Sequence, residues 1–139
     1  GWCISAISVY PRDGSIWIGE RQHSDISASR NRLWLRSADG RVLQELNLEE
    51  FRPMTVACLP NNGAALFSGF QSALRFVSRS GEITQIQEFD SKYLTLSQDS
   101  QRIWAVTDTG LVGMGPEGIE VKISLSDDER VTATAAVFE

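Results

Sequence analysis

Short apolar runs alternate with short polar segments along nearly the whole chain. The apolar runs are rich in Val, Ile, Leu, Phe and Trp, which favour strands, and this pattern predicts β-strands joined by tight hairpins. Helix is nearly absent from the pattern, and only residues 47–51 have a composition that predicts a single turn. The hairpin turns carry Gly or Asn where a positive φ is expected, as in Asp13-Gly14, Asn62-Gly63 and Ser80-Gly81.

The same succession of four apolar runs and their turns occurs three times. The copies cover about residues 3–47, 53–89 and 92–125. Aligning Gly63 on Gly14 gives a period of 49 residues, and aligning Gly118 on Gly81 gives 37. Periods of this size indicate a repeat architecture in which loops absorb the variation in length.

The second run of each copy is apolar without alternation, at residues 16–18, 65–67 and 103–106. A strand of this kind is covered on both faces. An antiparallel sheet needs neighbours stacked on each side to be covered in this way. The pattern therefore predicts four-stranded antiparallel sheets stacked face to face, which are the blades of a β-propeller.

Several hairpin phrases resemble those of the NHL, YVTN and quinoprotein-like β-propellers. They are DGSIWI at residues 13–18, NRLW at 31–34 followed by DGRV at 39–42, and LSQD at 96–99. The resemblance extends over about residues 5–125. It implies a propeller fold and, because these phrases belong to hairpins and carry no chemistry, leaves the function open.

The predicted fold class is therefore all-β, a single propeller-like domain over residues 1–139 with three blades. Propellers close with typically four to eight blades. Two alternatives remain open: the chain is part of a longer propeller, or it is one protomer of an oligomeric ring. A strand-like tail at residues 130–138 would pair with a neighbouring blade or with a partner chain.

The charge of the chain excludes some partners. The net charge is −5 and the 13 Lys and Arg residues are scattered, which argues against nucleic acid. No apolar run approaches the length of a membrane helix, so no membrane insertion is expected. Two cysteines and one histidine exclude a Cys/His zinc site within one chain, and Cys3 and Cys58 are expected to be free thiols because the blade register separates them in height. The compartment stays open.

Candidate binding residues lie on the long loops, because function generally sits on the longer loops of a rigid scaffold. The insertion at residues 20–31 holds the only histidine. Ser24, next to that histidine, cannot form a catalytic triad with it and the following Asp, because three consecutive residues cannot align for proton transfer. A metal site there needs ligands from other loops. The candidate ligand- or partner-binding residues are Arg21, His23, Asp25, Arg52, Phe70 and Asp108.

The favoured function is a non-catalytic binding or assembly module with no cofactor, whose partner is another protein or further copies of the chain. One alternative is a metal-dependent lactonase- or hydrolase-like propeller enzyme that combines Glu20, Asp90 or Asp108 with further ligands. Another is a small glycan-binding propeller. Trp17 and Trp104 occupy equivalent places on a strand, where packing between blades is the expected use.

Overall fold

The computed structural model describes residues 1–22, 30–59, 61, 63–68, 73–88, 95–98, 102–107, 110–115 and 118–124. In this part of the chain there are twelve strands and no helix. No described segment therefore has the helical length and apolarity that crossing a bilayer requires. The strands are β1 (Trp2–Val9), β2 (Ile16–Gln22), β3 (Arg30–Arg36), β4 (Val42–Glu49), β5 (Thr55–Cys58), β6 (Ala64–Ser68), β7 (Ala73–Val77), β8 (Ile83–Glu88), β9 (Thr95–Gln98), β10 (Ile103–Thr107), β11 (Gly110–Gly115) and β12 (Gly118–Ser124).

The strands form three four-stranded sheets, each antiparallel and each ordered as in the chain. β1–β4 make the first blade, β5–β8 the second and β9–β12 the third. β1 and β2 pack against β5, and β5 packs against β9. The first strand of each blade is therefore innermost, and the prediction of an all-β fold with three four-stranded blades is confirmed.

The second blade is covered on both faces. We call the side of a blade that is turned toward the next blade its forward face, and the opposite side its rear face. On its rear face, Val56 and Leu66 pack into a core shared with the first blade. On its forward face, Ala65 and Phe67 pack into a core shared with the third blade. All five residues of β6 are buried, as its unbroken apolar run predicted.

The hairpin turns are closed by their own polar side chains. In the first turn, the backbone N–H and the hydroxyl of Ser15 both donate to Asp13 Oδ1, at 2.9 and 2.6 Å. These two hydrogen bonds, and then the nearby Arg79 guanidinium, lower the pKa of Asp13 from its usual 3.8. Gly14 has φ +71°, the left-handed conformation expected at this position.

The helical turn expected at residues 47–51 is absent. β4 continues to Glu49, because alternating Leu46 and Leu48 turn toward the core while the backbone pairs with β3. The chain then reverses at Glu49, which has φ +52°, and the N–H of Phe51 donates to the Leu48 carbonyl at 2.9 Å. Phe51 is 2% exposed in the core between the first two blades and is therefore a packing residue.

Both cysteines are free thiols, as expected. Cys3 is exposed on β1, whereas Cys58 is buried at the interface of the first and second blades. Burial raises the pKa of the Cys58 thiol. Cys58 is therefore a core residue.

The packing between the first two blades predicts a large cost for truncating Leu66, which is fully buried there. We expect Leu66→Ala to lower the free energy of unfolding by about 2–5 kcal/mol, because it removes apolar contacts and leaves a cavity. Ile83→Ala is the matched control, since Ile83 is 46% exposed and surface changes of this kind cost about 0.5 kcal/mol or less. Urea unfolding at one protein concentration measures both; equal losses would contradict the inter-blade core.

The lowered pKa of Asp13 predicts a pH-dependent contribution to stability. The contribution is present above the unfolded pKa near 3.8 and disappears as the pH falls through the lower folded value. We expect Asp13→Asn to melt below the wild type at pH 7, and the two melting temperatures to converge as the pH falls below 3.8 and through the lower pKa of folded Asp13. Glu45→Gln, which removes an exposed carboxyl, controls for net charge. A difference that persisted unchanged at low pH would contradict the role of Asp13.

Candidate functional site

The rear face of the first blade is apolar and open. Ile7, Ile18 and Trp34 form one row across β1, β2 and β3, because residues paired across strands place their side chains on the same side. The neighbouring row contains Val9 and Ile16. Ile7 is 58% exposed and Val9 is 50% exposed. These exposed aliphatic side chains lie in adjoining rows of one sheet face, so they form a contiguous apolar patch and are not scattered surface residues.

A polar cluster lies on the same face. Glu20 Oε2 accepts a hydrogen bond from Arg32 Nε at 2.5 Å and another from Trp34 Nε1 at 2.9 Å. The Arg32 guanidinium lies 3.8 Å from the centre of the Trp2 ring and 4.7 Å from that of Trp34. We call these four residues the arginine–tryptophan cluster. Trp and Arg are the residues most enriched at interface hot spots, and the internal contacts hold these side chains in place before any partner binds.

A β-bulge at Ser5 brings more apolar surface to this face. The pairing of β1 with β2 shifts between Ile4 and Ala6. Ile4, which is 64% exposed, therefore lies on the same side as Ile7 although the two are three positions apart. The bulge extends the apolar rows toward Trp2 and the arginine–tryptophan cluster.

The open face corresponds to a buried face of the second blade. There, Val56, Leu66 and Arg75 form the row that matches Ile7, Ile18 and Trp34 of the first blade. Val56 and Leu66 are 6% and 0% exposed, because the first blade covers them. The Arg75 guanidinium lies 4.2 Å from the centre of the Phe51 ring of the first blade. In the second blade, the matching face is thus covered by the forward face of the first blade.

A groove lies at the hairpin-turn end of the first two blades. One cavity of about 320 Å³ is lined by residues that include Asp13, Asp39 and Arg79, and a second of about 630 Å³ adjoins it at Leu43 and Arg79. Arg79 pairs with Asp13 at 3.3 Å, and Arg41 pairs with Asp39 at 3.0 Å. Hydrogen bonds from Ser37 and then Arg41 lower the pKa of Asp39. Both carboxylates therefore serve to close their own turns.

The sequence-predicted loop residues fall in two groups. Arg21 lies on β2, opposite Cys3 of β1 and Asn31 of β3, and is half-buried. Arg52 follows the buried Phe51 and is half-buried as well. Four of the candidates lie outside the described residues: His23, Asp25, Phe70 and Asp108.

The described residues also bear on metal binding. Among them, no three His, Cys, Asp or Glu side chains come together as a metal site would require. Glu20 uses Oε2 for Arg32 and Trp34, which ties this carboxylate to the open face. Asp90 and Asp108, the other acids of the enzyme alternative, lie outside the described ranges.

Sequence reasoning did not identify the arginine–tryptophan cluster. The signal is the alternation in residues 32–36, which read RLWLR. Leu33 and Leu35 are fully buried on the forward side, so Arg32, Trp34 and Arg36 share the rear side.

Comparison with known proteins gives the fold. No family model and no curated protein sequence matches the chain. A protein of unknown function from Bacteroides caccae matches 94% of this chain and 49% of its own length at 15% identity, with a TM-score of 0.57. The WD40 domain of Neurospora crassa Pan2 matches 87% of this chain and 40% of its own length at 9% identity, with a TM-score of 0.59.

A streptogramin B lyase structure also matches, over 95% of this chain and 58% of its own length, at 14% identity and a TM-score of 0.57. Identities this low bear on the fold and not on activity. The chain spans about half the length of the structures that it matches. The chain therefore has the fold of a partial β-propeller.

Proposed function

We propose that the chain is a non-catalytic β-propeller module that binds protein through the rear face of its first blade. The observation that carries this proposal is the pair of apolar rows on that face, which are open in the first blade and buried at the matching positions of the second. An assembly surface is the use that this pairing favours.

Burial of the rear face supplies a driving force for association. Covering one exposed aliphatic side chain contributes about 1.5–3 kcal/mol, reduced here because Ile4, Ile7 and Val9 are only 50–64% exposed. Several such side chains on one sheet face give enough to offset part of the entropy lost on association. The rear face thus favours a partner with a matching apolar sheet face.

The arginine–tryptophan cluster adds specificity to this surface. Arg32 is neutralised by Glu20 and stacked on two indole rings, so a partner buries a paired charge. A partner that excluded water from this cluster without making apolar or aromatic contacts to it would bind the rear face more weakly. The cluster therefore selects a partner whose surface is apolar opposite the inner strands and aromatic or polar farther out.

The alternative functions have less support from the described residues. The NHL, YVTN and quinoprotein-like resemblance and the WD40 neighbour agree with a binding role but share only the fold. The enzyme alternative would use Glu20 as a metal ligand or catalytic carboxylate. Glu20 Oε2 instead accepts hydrogen bonds from Arg32 and Trp34 on the open face. The glycan-binding alternative would need exposed tryptophan platforms. Trp17 is fully buried between blades, and Trp2, which is 38% exposed, already stacks against the Arg32 guanidinium.

Site-specific photo-crosslinking tests the binding surface. A benzophenone amino acid placed at position 4 lies on the rear face, and one placed at Arg41, a highly exposed residue of a hairpin turn, is the matched control. We expect position 4, and not position 41, to form covalent adducts in the producing cells with a propeller blade. Mass spectrometry of the crosslinked peptides identifies that blade, whether it belongs to this chain or to another protein.

Two results would contradict the proposal. One is the absence of adducts from position 4 although the labelled protein is folded. The other is the same set of partners from positions 4 and 41, which would mean nonspecific contact.

A further inference from the structure

We propose that the open rear face of the first blade receives the third blade of a second copy, so that two chains close a six-bladed ring. This inference rests on the proposed function, because it names the partner of the same surface. Two features favour this partner: the forward face of the third blade, and the way in which successive blades pack within one chain.

Trp104 marks the forward face of the third blade. It is paired with Ser97 of β9 and Gly113 of β11, as Trp17 of the first blade is paired with Ser8 and Leu35. Trp17 is fully buried, because the second blade covers it. Trp104 holds the matching position and is only half-buried. A following blade would give Trp104 the environment that Trp17 has.

Among the described residues, that forward face carries further apolar side chains next to an ion pair between Arg102 and Glu120, whose Nε and Oε2 lie 2.8 Å apart. Val112 and Met114 of β11 are buried against the second blade, so Leu111 and Gly113 lie on the opposite side of this strand. A Cβ at Gly113 would come within 3.0 Å of the Trp104 ring, so the absence of a side chain there lets the indole lie close against the sheet. Ile123, paired with Leu111, is 43% exposed.

The two open faces are the two halves of an interface that the chain already forms twice. A forward face packs against a rear face between the first and second blades, and again between the second and third. In the part of the chain that the structure describes, what remains is one rear face on the first blade and one forward face on the third. A second copy supplies both halves at once, and a two-fold axis then makes the two contacts identical and leaves no blade face open.

The number of blades fits this closure. The three blades span 49% and 58% of two of the matching structures, where a second unit of the same size accounts for about the rest, and 40% of the third, which is longer than two such units. Six blades lie within the range of four to eight in which propellers close. A partner with a single complementary face would cover only one of the two open faces.

The test uses two variants with damage on opposite faces. Ile7→Asp puts a charge on the rear face of the first blade, and Trp104→Asp puts one on the forward face of the third. Each is expected to raise the dimer dissociation constant by about 100-fold or more, because an unpaired charge in an apolar interface is strongly disfavoured. Arg41→Asp, at an exposed hairpin turn, is the control and should behave as the wild type.

Light scattering on a sizing column measures the masses over a range of concentrations. The wild type is expected at twice the mass of one chain, and each variant alone as a monomer. An equimolar mixture of the two variants is expected to regain dimer, because the third blade of Ile7→Asp and the first blade of Trp104→Asp still form one intact contact. Rescue on mixing would not follow if either variant had failed to fold, and circular dichroism of each checks this directly.

Three results would overturn the ring. A wild-type monomer at all concentrations would exclude the second copy, and if position 4 still crosslinked to a blade of another protein, the proposed function would stand without it. A dimer that resists both charged variants would show that other surfaces pair. Masses that grow steadily with concentration would show that the faces pair in an open chain without closing.

Discussion

The packing of one blade face against the next is the interaction on which the rest of this structure depends. A four-stranded antiparallel sheet that is apolar on both sides has no stable form in water unless both sides are covered. The innermost strands supply polar links across that packing: the Ser8 hydroxyl accepts from the N–H of Cys58 at 3.1 Å, and the Ser5 hydroxyl donates to the Pro53 carbonyl at 2.8 Å. These links fix the height of one blade against the next, so the apolar rows meet in register.

That constraint explains why equivalent residues differ in exposure. Ile7 and Val56 occupy matching positions, as do Trp104 and Trp17. Ile7 is exposed and Trp104 is half-buried, whereas Val56 and Trp17 are buried. The residue types are alike because each blade is built to be stacked. The exposure is set by the position of the blade in the stack, so the open apolar surface follows from the order of the repeats and not from any one motif.

Much of the fold could be predicted from the sequence, and the site could not. Turn residues such as Asp13 and Gly14, and the unbroken apolar run of β6, predicted hairpins and covered sheets, because those features act locally. The surface depends on nonlocal detail. Ile4 and Ile7 share a side of the sheet only because of the bulge at Ser5. No local sequence pattern predicts this bulge. The expected helical turn at residues 47–51 was wrong because pairing with β3 outweighed local composition.

The charges on the rear face are compatible with its burial by another blade. An isolated guanidinium between two sheets would carry a large desolvation penalty, whereas a paired one stacked on aromatic rings carries much less. The existing interface already contains a stacked guanidinium, since Arg75 lies over Phe51 between the first and second blades, although its buried Nε has no hydrogen-bond partner among the described residues. Arg32 is better provided for, with Glu20 as its counter-ion and two indole rings against its guanidinium. The arginine–tryptophan cluster can therefore enter an inter-blade interface as a unit, with the hydrogen bonds from Arg32 Nε and Trp34 Nε1 to Glu20 already made.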